Sequence, residues 1–176
     1  MLNGKNVTLR SITLEDVPDT LKLRQDMKSN KALMGYPFPV NLNNEKIWID
    51  NLYPQGERKT IYLAIEEKKT KKFAGYVSVK NINYINTTAE FGIILLEEFR
   101  GKTYANEAMK LFFEYLYNEI HLRKITLYVL EGNEKAIKLY KKIGFNQEGI
   151  LKEHVWQDGK FKDLMVMSLF LETIIK

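Results

Sequence analysis

The feature of this chain that most restricts its fold is the order in which its hydrophobic periods follow one another. Ile61, Leu63 and Ile65 alternate, and Phe73 to Val79 and Thr88 to Leu96 read as two further strands with only turns between the three. Lys68, Lys69, Lys71 and Lys72 fill the first gap as a solvated hairpin turn, and residues 82–86 (INYIN) fill the second. The pattern then becomes helical from Tyr104 to about Asn118, where Ala105, Ala108, Phe112 and Tyr115 recur at three- and four-residue spacing. Ile125, Leu127 and Val129 restore the strand period. Asn133 caps another helix through Ala136, Ile137, Tyr140 and Ile143, which Gly144 ends. Two last strands, near 148–156 and 161–171, flank Asp158-Gly159, a strong hairpin signal.

Before this run, Val7 and Leu9 alternate with Thr8 and Arg10 as a first strand. Thr13 with Asp16 resembles a capping box, and Val17, Leu21 and Arg24 keep helical spacing after it. Gly35, Pro37 and Pro39 bar a long helix between Met34 and Leu42. Asn43 and Asn44 are placed to cap a second helix carrying Ile47, Trp48 and Leu52, closed by Pro54 and Gly56. Consecutive strands combined with two strand–helix–strand crossovers predict an α+β (mixed α/β) fold. The expected form is a central, mostly antiparallel sheet of about seven strands with helices on both faces. A length of 176 residues fits one domain, 1–176.

Composition removes several kinds of chemistry. There is no cysteine, which excludes a disulfide scaffold, a thiolate metal site and a Cys nucleophile together. Two histidines, His121 and His154, are too few for a multi-His zinc site, so no metal is expected. The 27 basic residues against 22 acidic give +5, a lean that suits an anionic partner such as a phosphorylated cofactor. No helix-turn-helix or RNA-recognition signature accompanies that charge, so a nucleic-acid partner is not expected. The opening MLNGKNVTLR carries no apolar run, and no apolar stretch approaches the roughly 18 residues of a membrane span. A cytoplasmic location without a membrane partner is the expectation.

Chemistry concentrates at residues 90–105, EFGIILLEEFRGKTYA, where a strand runs into a short polar turn that opens the longest helix. A helix start offers unpaired N–H groups and the positive end of its dipole. With Arg100 and Lys102 beside it, and Gly101 allowing close backbone approach, this turn can cradle a pyrophosphate.

This segment, taken with NEKAIKLYKKIGF at 133–145, resembles the GNAT superfamily of N-acetyltransferases, particularly its RimJ/RimL-like branch. The likeness extends to the opening VTLR and the closing HVWQDGKFKDLMVMSL. The family's phosphate loop has the form Arg/Gln-x-x-Gly-x-Gly/Ala, and here it reads Arg100-Gly101-Lys102-Thr103-Tyr104-Ala105. Thr103 departs from the usual glycine. A β-branched residue takes a positive φ only at a cost, so either its backbone is ordinary right-handed helix or the turn is altered.

The resemblance implies acetyl-CoA as cosubstrate and direct attack of a primary amine on its thioester in a ternary complex. It implies Tyr140 as the proton donor to the departing thiolate and Glu90 as a base or water-binding carboxylate. It implies that the main chain of Ile93, Ile94, Leu95 and neighbouring Leu96 pairs with the pantetheine arm, which Asn133 also binds. Arg100, Gly101, Lys102, Thr103, Tyr104 and Ala105 complete the cofactor site, with Tyr140. Glu107 and Glu119, on helix positions, are read as solvated.

The family's acceptor site is shaped by the first two helices, here about residues 22–52, and by the final hairpin. Met34, Tyr36, Phe38 and Trp48 supply aromatic and apolar surface there, and Glu90 faces the acceptor as well; Glu45 and Asp50 are the only acids from Lys31 to Gln55. INYINTTAEFGII and NEKAIKLYKKIGF are close in form to bacterial spermidine N-acetyltransferases, which points to a polyamine. The carboxylate-poor loop GYPFPVNLNNE and the basic balance suit an amino-sugar nucleotide instead. The branch also contains enzymes acting on protein N-termini and on antibiotics. A catalytically inactive acyl-CoA-binding module is the alternative of another class. The family leaves room for a homodimer or a higher homo-oligomer.

Overall fold

The computed structural model describes residues 1–32, 38–53, 56 and 59–175, with the side chains of residues 28, 29 and 32 set aside. Met34, Tyr36 and Pro54 therefore lie outside the described residues. Among the described residues one sheet contains β1 (Leu2–Asn3), β2 (Val7–Arg10), β3 (Ile61–Glu67), β4 (Phe73–Asn83), β5 (Thr88–Leu95), β6 (Lys124–Leu130), β7 (Asn146–Gln157) and β8 (Lys160–Phe170). Their order is β1-β2-β3-β4-β5-β6-β8-β7. Every neighbouring pair is antiparallel except β5 and β6, which are parallel. The count exceeds the expected seven by β1, whose two residues are too short to carry a readable period.

Among the described residues five α-helices join them: α1 (Val17–Gln25), α2 (Met27–Ala32), α3 (Leu42–Asp50), α4 (Tyr104–Asn118) and α5 (Glu134–Ile143). The six-residue α2 was not legible as a periodic segment. α3 starts earlier than Asn43 or Asn44 would place it, because Asn41 accepts from the Asn44 amide at 2.9 Å and Asn44 answers by accepting from the Asn41 amide at 3.3 Å. Ahead of α1, Asp16 accepts from the Thr13 amide at 2.9 Å, and Arg10 grips the same carboxylate through two bonds of 2.8 Å. The turn after β4 covers residues 84–87, since Ile82 and Asn83 still belong to the strand. In the final hairpin both Asp158 (φ 55°) and Gly159 (φ 75°) take the positive φ that a two-residue type I′ turn requires.

Strand alternation sorts the side chains onto two covered faces. On one, Trp48 of α3 meets Tyr62 of β3 edge-on at 5.6 Å and Tyr76 of β4 at 6.0 Å. On the other, Phe91 of β5 meets Phe113 of α4 at 5.0 Å, Phe112 at 6.4 Å and Phe145 at 6.3 Å. Phe112 and Phe113 are completely buried. Burying each such ring contributes about 1.5 to 3 kcal/mol. The N-terminal strands are pinned onto α4 by Glu107, which accepts from the Asn6 amide at 2.7 Å, the Asn6 side chain at 2.8 Å and the Val7 amide at 3.2 Å. Glu107 is thus not the solvated helix residue expected; Glu119 is exposed.

Gly75 of β4 lies opposite Leu95, where β5 is about to leave the sheet. Its φ is +153°, and a Cβ there would sit 2.0 Å from the Ile94 carbonyl oxygen and 2.8 Å from the Leu95 Cα. Both obstacles are backbone and cannot rotate away. Gly75→Ala is therefore expected to cost more than about 1 kcal/mol of stability, read as a lower urea midpoint with an unchanged slope. A midpoint equal to the parent's would show that β4 and β5 have slack here.

Candidate active site

The parallel contact between β5 and β6 is short. Thr88 faces Lys124, Ala89 faces Ile125 and Glu90 faces Thr126, and no later pair is formed. β5 nevertheless stays on β4 through Leu95, and β6 stays on β8 through Leu130. The two strands therefore part after Glu90, and alternate residues of Phe91–Leu95 turn their backbone groups to the opening as a strand edge does, the Leu95 carbonyl being taken by Arg100 Nε. An extended ligand carrying amides can complete that edge. Ile93, Ile94 and Leu95 belong to this stretch of β5; Ile94 and Leu95 are buried and Ile93 is half-buried.

Above the opening a 3-10 turn, Glu97–Phe99, leads to α4. Gly101 takes a φ of +73° in open space. Thr103 has φ −75° and ψ −4°, ordinary right-handed backbone, which settles the two alternatives its β-branch left. The Glu107 amide makes the first bond back to Thr103 at 3.0 Å, so the amides of Tyr104, Ala105 and Asn106 precede it as first-turn donors. Asn106 adds a side-chain oxygen that is buried without a hydrogen-bond partner. The Lys102 ammonium stands 5.2 Å from the Phe99 ring and 5.4 Å from that of Tyr104, whose hydroxyl donates to Glu67. Arg100 is engaged by the protein itself: its Nε donates to the Leu95 carbonyl at 2.9 Å, and its terminal nitrogen lies 3.6 Å from Asp26. Amide donors at a helix start, flanked by two cations, fit a pyrophosphate.

Glu90 ends the parallel pairs, and Tyr140 is linked through Phe145 to the opposite face of β5. Tyr140 packs on Phe145 at 5.7 Å, and Phe145 in turn reaches Phe91, the first residue past the parallel pairs. Burial pushes the Tyr140 hydroxyl up to about 12. Glu90 precedes Phe91 and so points to the other face, where it accepts from the Asn81 side chain at 3.1 Å. Asn133 caps α5, accepting from the Ala136 amide at 3.4 Å, while its own amide donates to Leu130 at 3.0 Å.

The expected acceptor residues are less gathered. Phe38 is 71 % exposed. Trp48 lies under Arg24, whose guanidinium carbon stands 4.3 Å from the ring centre. Arg24 Nε lies 2.8 Å from Glu45, a carboxylate with no exposed side-chain surface. Sequence reasoning missed Arg24, Tyr62 and Tyr76 as parts of this wall. Only Trp48, an aromatic on a helix face, hinted at it, because pairs so far apart in sequence leave no local pattern. A buried charge stripped of its partner is strongly destabilising. Arg24→Ala should therefore cost about 3 to 5 kcal/mol, and Arg24→Ala with Glu45→Gln should recover much of that loss in urea melts. A double variant no more stable than Arg24→Ala would show that the Glu45 charge is not what Arg24 offsets.

Among the described residues no helix is long and apolar enough to cross a membrane, and no group of three or more His, Asp or Glu side chains is gathered to hold a metal ion.

Residues 6–146 match the family model described as an acetyltransferase (GNAT) domain. The chain is 30% identical over 174 residues to the spermidine N(1)-acetyltransferase of Escherichia coli (strain K12), covering 97% of this chain and 89% of that protein. It is 30% identical over 170 residues to the spermidine N(1)-acetyltransferase of Vibrio cholerae, covering 94% of each. A crystal structure of spermidine N-acetyltransferase from Vibrio cholerae, in complex with CoA and spermine, superposes with a TM-score of 0.89 at 25% identity. That match covers 98% of this chain and all of the other.

Proposed function

The chain belongs to the GNAT family and is an acetyl-CoA-dependent acetyltransferase, and from that premise we propose that it acetylates a primary amine of a polyamine such as spermidine. The observation that carries this acceptor is the end-to-end likeness to spermidine N-acetyltransferases, in sequence and in three dimensions. One feature favours a second reading, an amino-sugar nucleotide. The acceptor wall is poor in available carboxylate, because Glu45 is buried behind Arg24, and the chain is net basic.

The pantetheine arm is assigned to the Phe91–Leu95 edge. The pyrophosphate is assigned to the first turn of α4, with Gly101, Lys102, Thr103, Tyr104 and Ala105 around it and Arg100 beside it. Asn133 flanks the opposite side at the end of β6. The thioester then lies near the parting point, between Glu90 on one face and Tyr140 on the other. An alkylammonium of pKa near 10.4 must lose a proton before it can attack, at a cost of about 4 to 5 kcal/mol at neutral pH. Glu90 accepts that proton, directly or through water. The amine nitrogen forms the new C–N bond and gives its second proton to water, the C–S bond breaks, and the thiolate leaves toward Tyr140. With a phenol near 12 and a thiol near 8.5, full early transfer would be uphill by about 4 to 5 kcal/mol. Tyr140 therefore acts by donating a hydrogen bond to the developing thiolate, which lowers its energy without requiring complete transfer.

The test is free-thiol release from acetyl-CoA with spermidine, spermine, an amino-sugar nucleotide and a short peptide. Turnover with the polyamines well above the rest supports the reading; turnover confined to the nucleotide replaces it with the second. Tyr140→Phe should lower kcat about 100-fold and leave CoA affinity in place, and an unchanged kcat would remove the tyrosine from the mechanism. Because its pKa is raised, Tyr140 keeps its proton at every pH below about 12. The rate should thus climb with pH as the amine deprotonates, with no alkaline fall below about pH 10.5. A fall near pH 9 would contradict that role.

A further inference from the structure

The face of the sheet that carries Glu90 also carries three rings set around one another. Trp48 stands 5.6 Å from Tyr62 and 6.0 Å from Tyr76, and Tyr62 and Tyr76 are 5.7 Å apart. Burial raises the Tyr76 hydroxyl and keeps that ring neutral. Glu45, one helical turn before Trp48 on α3, is completely buried. Among the described residues neither of its carboxylate oxygens meets a donor in hydrogen-bond geometry. Ring faces beside an unsatisfied carboxylate attract an ammonium or a guanidinium group. Two cations of the chain already lie there. The Lys80 ammonium is at the edge, 5.9 Å from the centre of the Tyr62 ring. Arg24 lies further in, its guanidinium carbon 4.3 Å from the centre of the Trp48 ring and its Nε 2.8 Å from Glu45. That approach brings charge to charge without the alignment of a hydrogen bond. The Arg24 side chain is 36 % exposed, so the space it fills opens to solvent.

We propose that Trp48, Tyr62, Tyr76 and Glu45 form a cation site whose resident occupant is the chain's own Arg24, and that Arg24 thereby decides which acceptors the enzyme admits. Tyr62 pairs with Ser78 and Ser78 with Gly92, so these three side-chain positions share a face. Glu90 follows two residues along β5 on that same face. Two strand spacings and two residues separate Tyr62 from Glu90, about 12 Å along the sheet. An acceptor whose reacting amine lies at Glu90, with further charges along an aliphatic chain, brings a second ammonium to the rings. With Arg24 seated, that ammonium meets a like charge in place of Glu45. Arg24 thus works against an acceptor's second cation and leaves a single amine unaffected. The part of the proposal that concerns acceptors rests on the polyamine reading above; the cation site itself does not.

The test opens the site with Arg24→Ala and refills it with methylguanidinium, the end of an arginine side chain, in thermal melts at fixed ionic strength. At about ten times its dissociation constant the probe should raise the midpoint of Arg24→Ala by about 3 °C or more and leave the parent's in place. Arg24→Ala with Glu45→Gln should respond as the parent does, because the carboxylate charge is gone. Arg24→Gln, which also leaves Glu45 without a cation, is measured beside it and carries the test where the alanine variant does not fold. A midpoint that methylguanidinium does not move, or moves equally in the parent or in the double variant, would overturn the cation site. In turnover, Arg24→Ala should raise kcat/KM for spermidine, relative to that for n-propylamine, about ten-fold over the parent's ratio. An unchanged or lowered ratio would overturn the part given to Arg24 in acceptor choice. Spermidine left unacetylated by every variant and by the parent would remove the polyamine reading, and the melts would still decide the cation site.

Discussion

The parallel pairing of β5 with β6 lasts for three residue pairs and stops at Glu90. Both strands continue, each held by its other neighbour, so the sheet keeps its integrity on either side of an opening. The opening turns a stretch of ordinary strand into an edge whose alternate backbone groups face away from β4, with the Leu95 carbonyl held by Arg100. It aims that edge at the start of α4, where first-turn amides and two cations lie. Glu90 lies on one face beside it, and the run of rings from Phe91 through Phe145 to Tyr140 lies on the other. The proposed function assigns to Glu90 and Tyr140 the proton acceptor and the hydrogen-bond donor that amine attack with thiolate departure requires.

How much of this was legible depended on range. α4 and α5 could be read because their apolar residues recur within a few positions, and the Asp158-Gly159 turn because its chemistry is local. Residues 100–105 were legible as a helix start and as a family motif. The β-branch of Thr103 leaves two backbone options, of which the ordinary right-handed one is present. What could not be read was side-chain partnership across the fold. Glu107 looked like a solvated helix residue, yet it holds three donors from Asn6 and Val7, about a hundred positions away in sequence. Arg24 with Glu45, and Arg100 with Asp26, are likewise invisible until the helices pack. β1 and α2 were too short to show a period.

The acceptor side follows a different logic from the cofactor side. Backbone groups make the cofactor edge, and they tolerate almost any side chain, which is why Ile93, Ile94 and Leu95 carry no information by identity. The acceptor wall is made of side chains, and its most charged member, Glu45, is neutralised by the chain's own Arg24. Arg24 lies over the Trp48 ring and against the buried Glu45 carboxylate. In the function proposed above, a polyamine would rely on Glu90 and on acids outside the Arg24–Glu45 pair. The chain's similarity to spermidine N-acetyltransferases and its own charge arrangement thus pull the acceptor assignment in different directions.

The central claim is that the β5 edge left bare by β6 is where coenzyme A lies. Amide hydrogen exchange, followed residue by residue with and without coenzyme A, addresses it most directly. Slowed exchange in Phe91–Leu95 together with Tyr104–Asn106, and little change along β3, is the predicted result. Protection elsewhere in the molecule with Phe91–Leu95 unaltered would contradict the account.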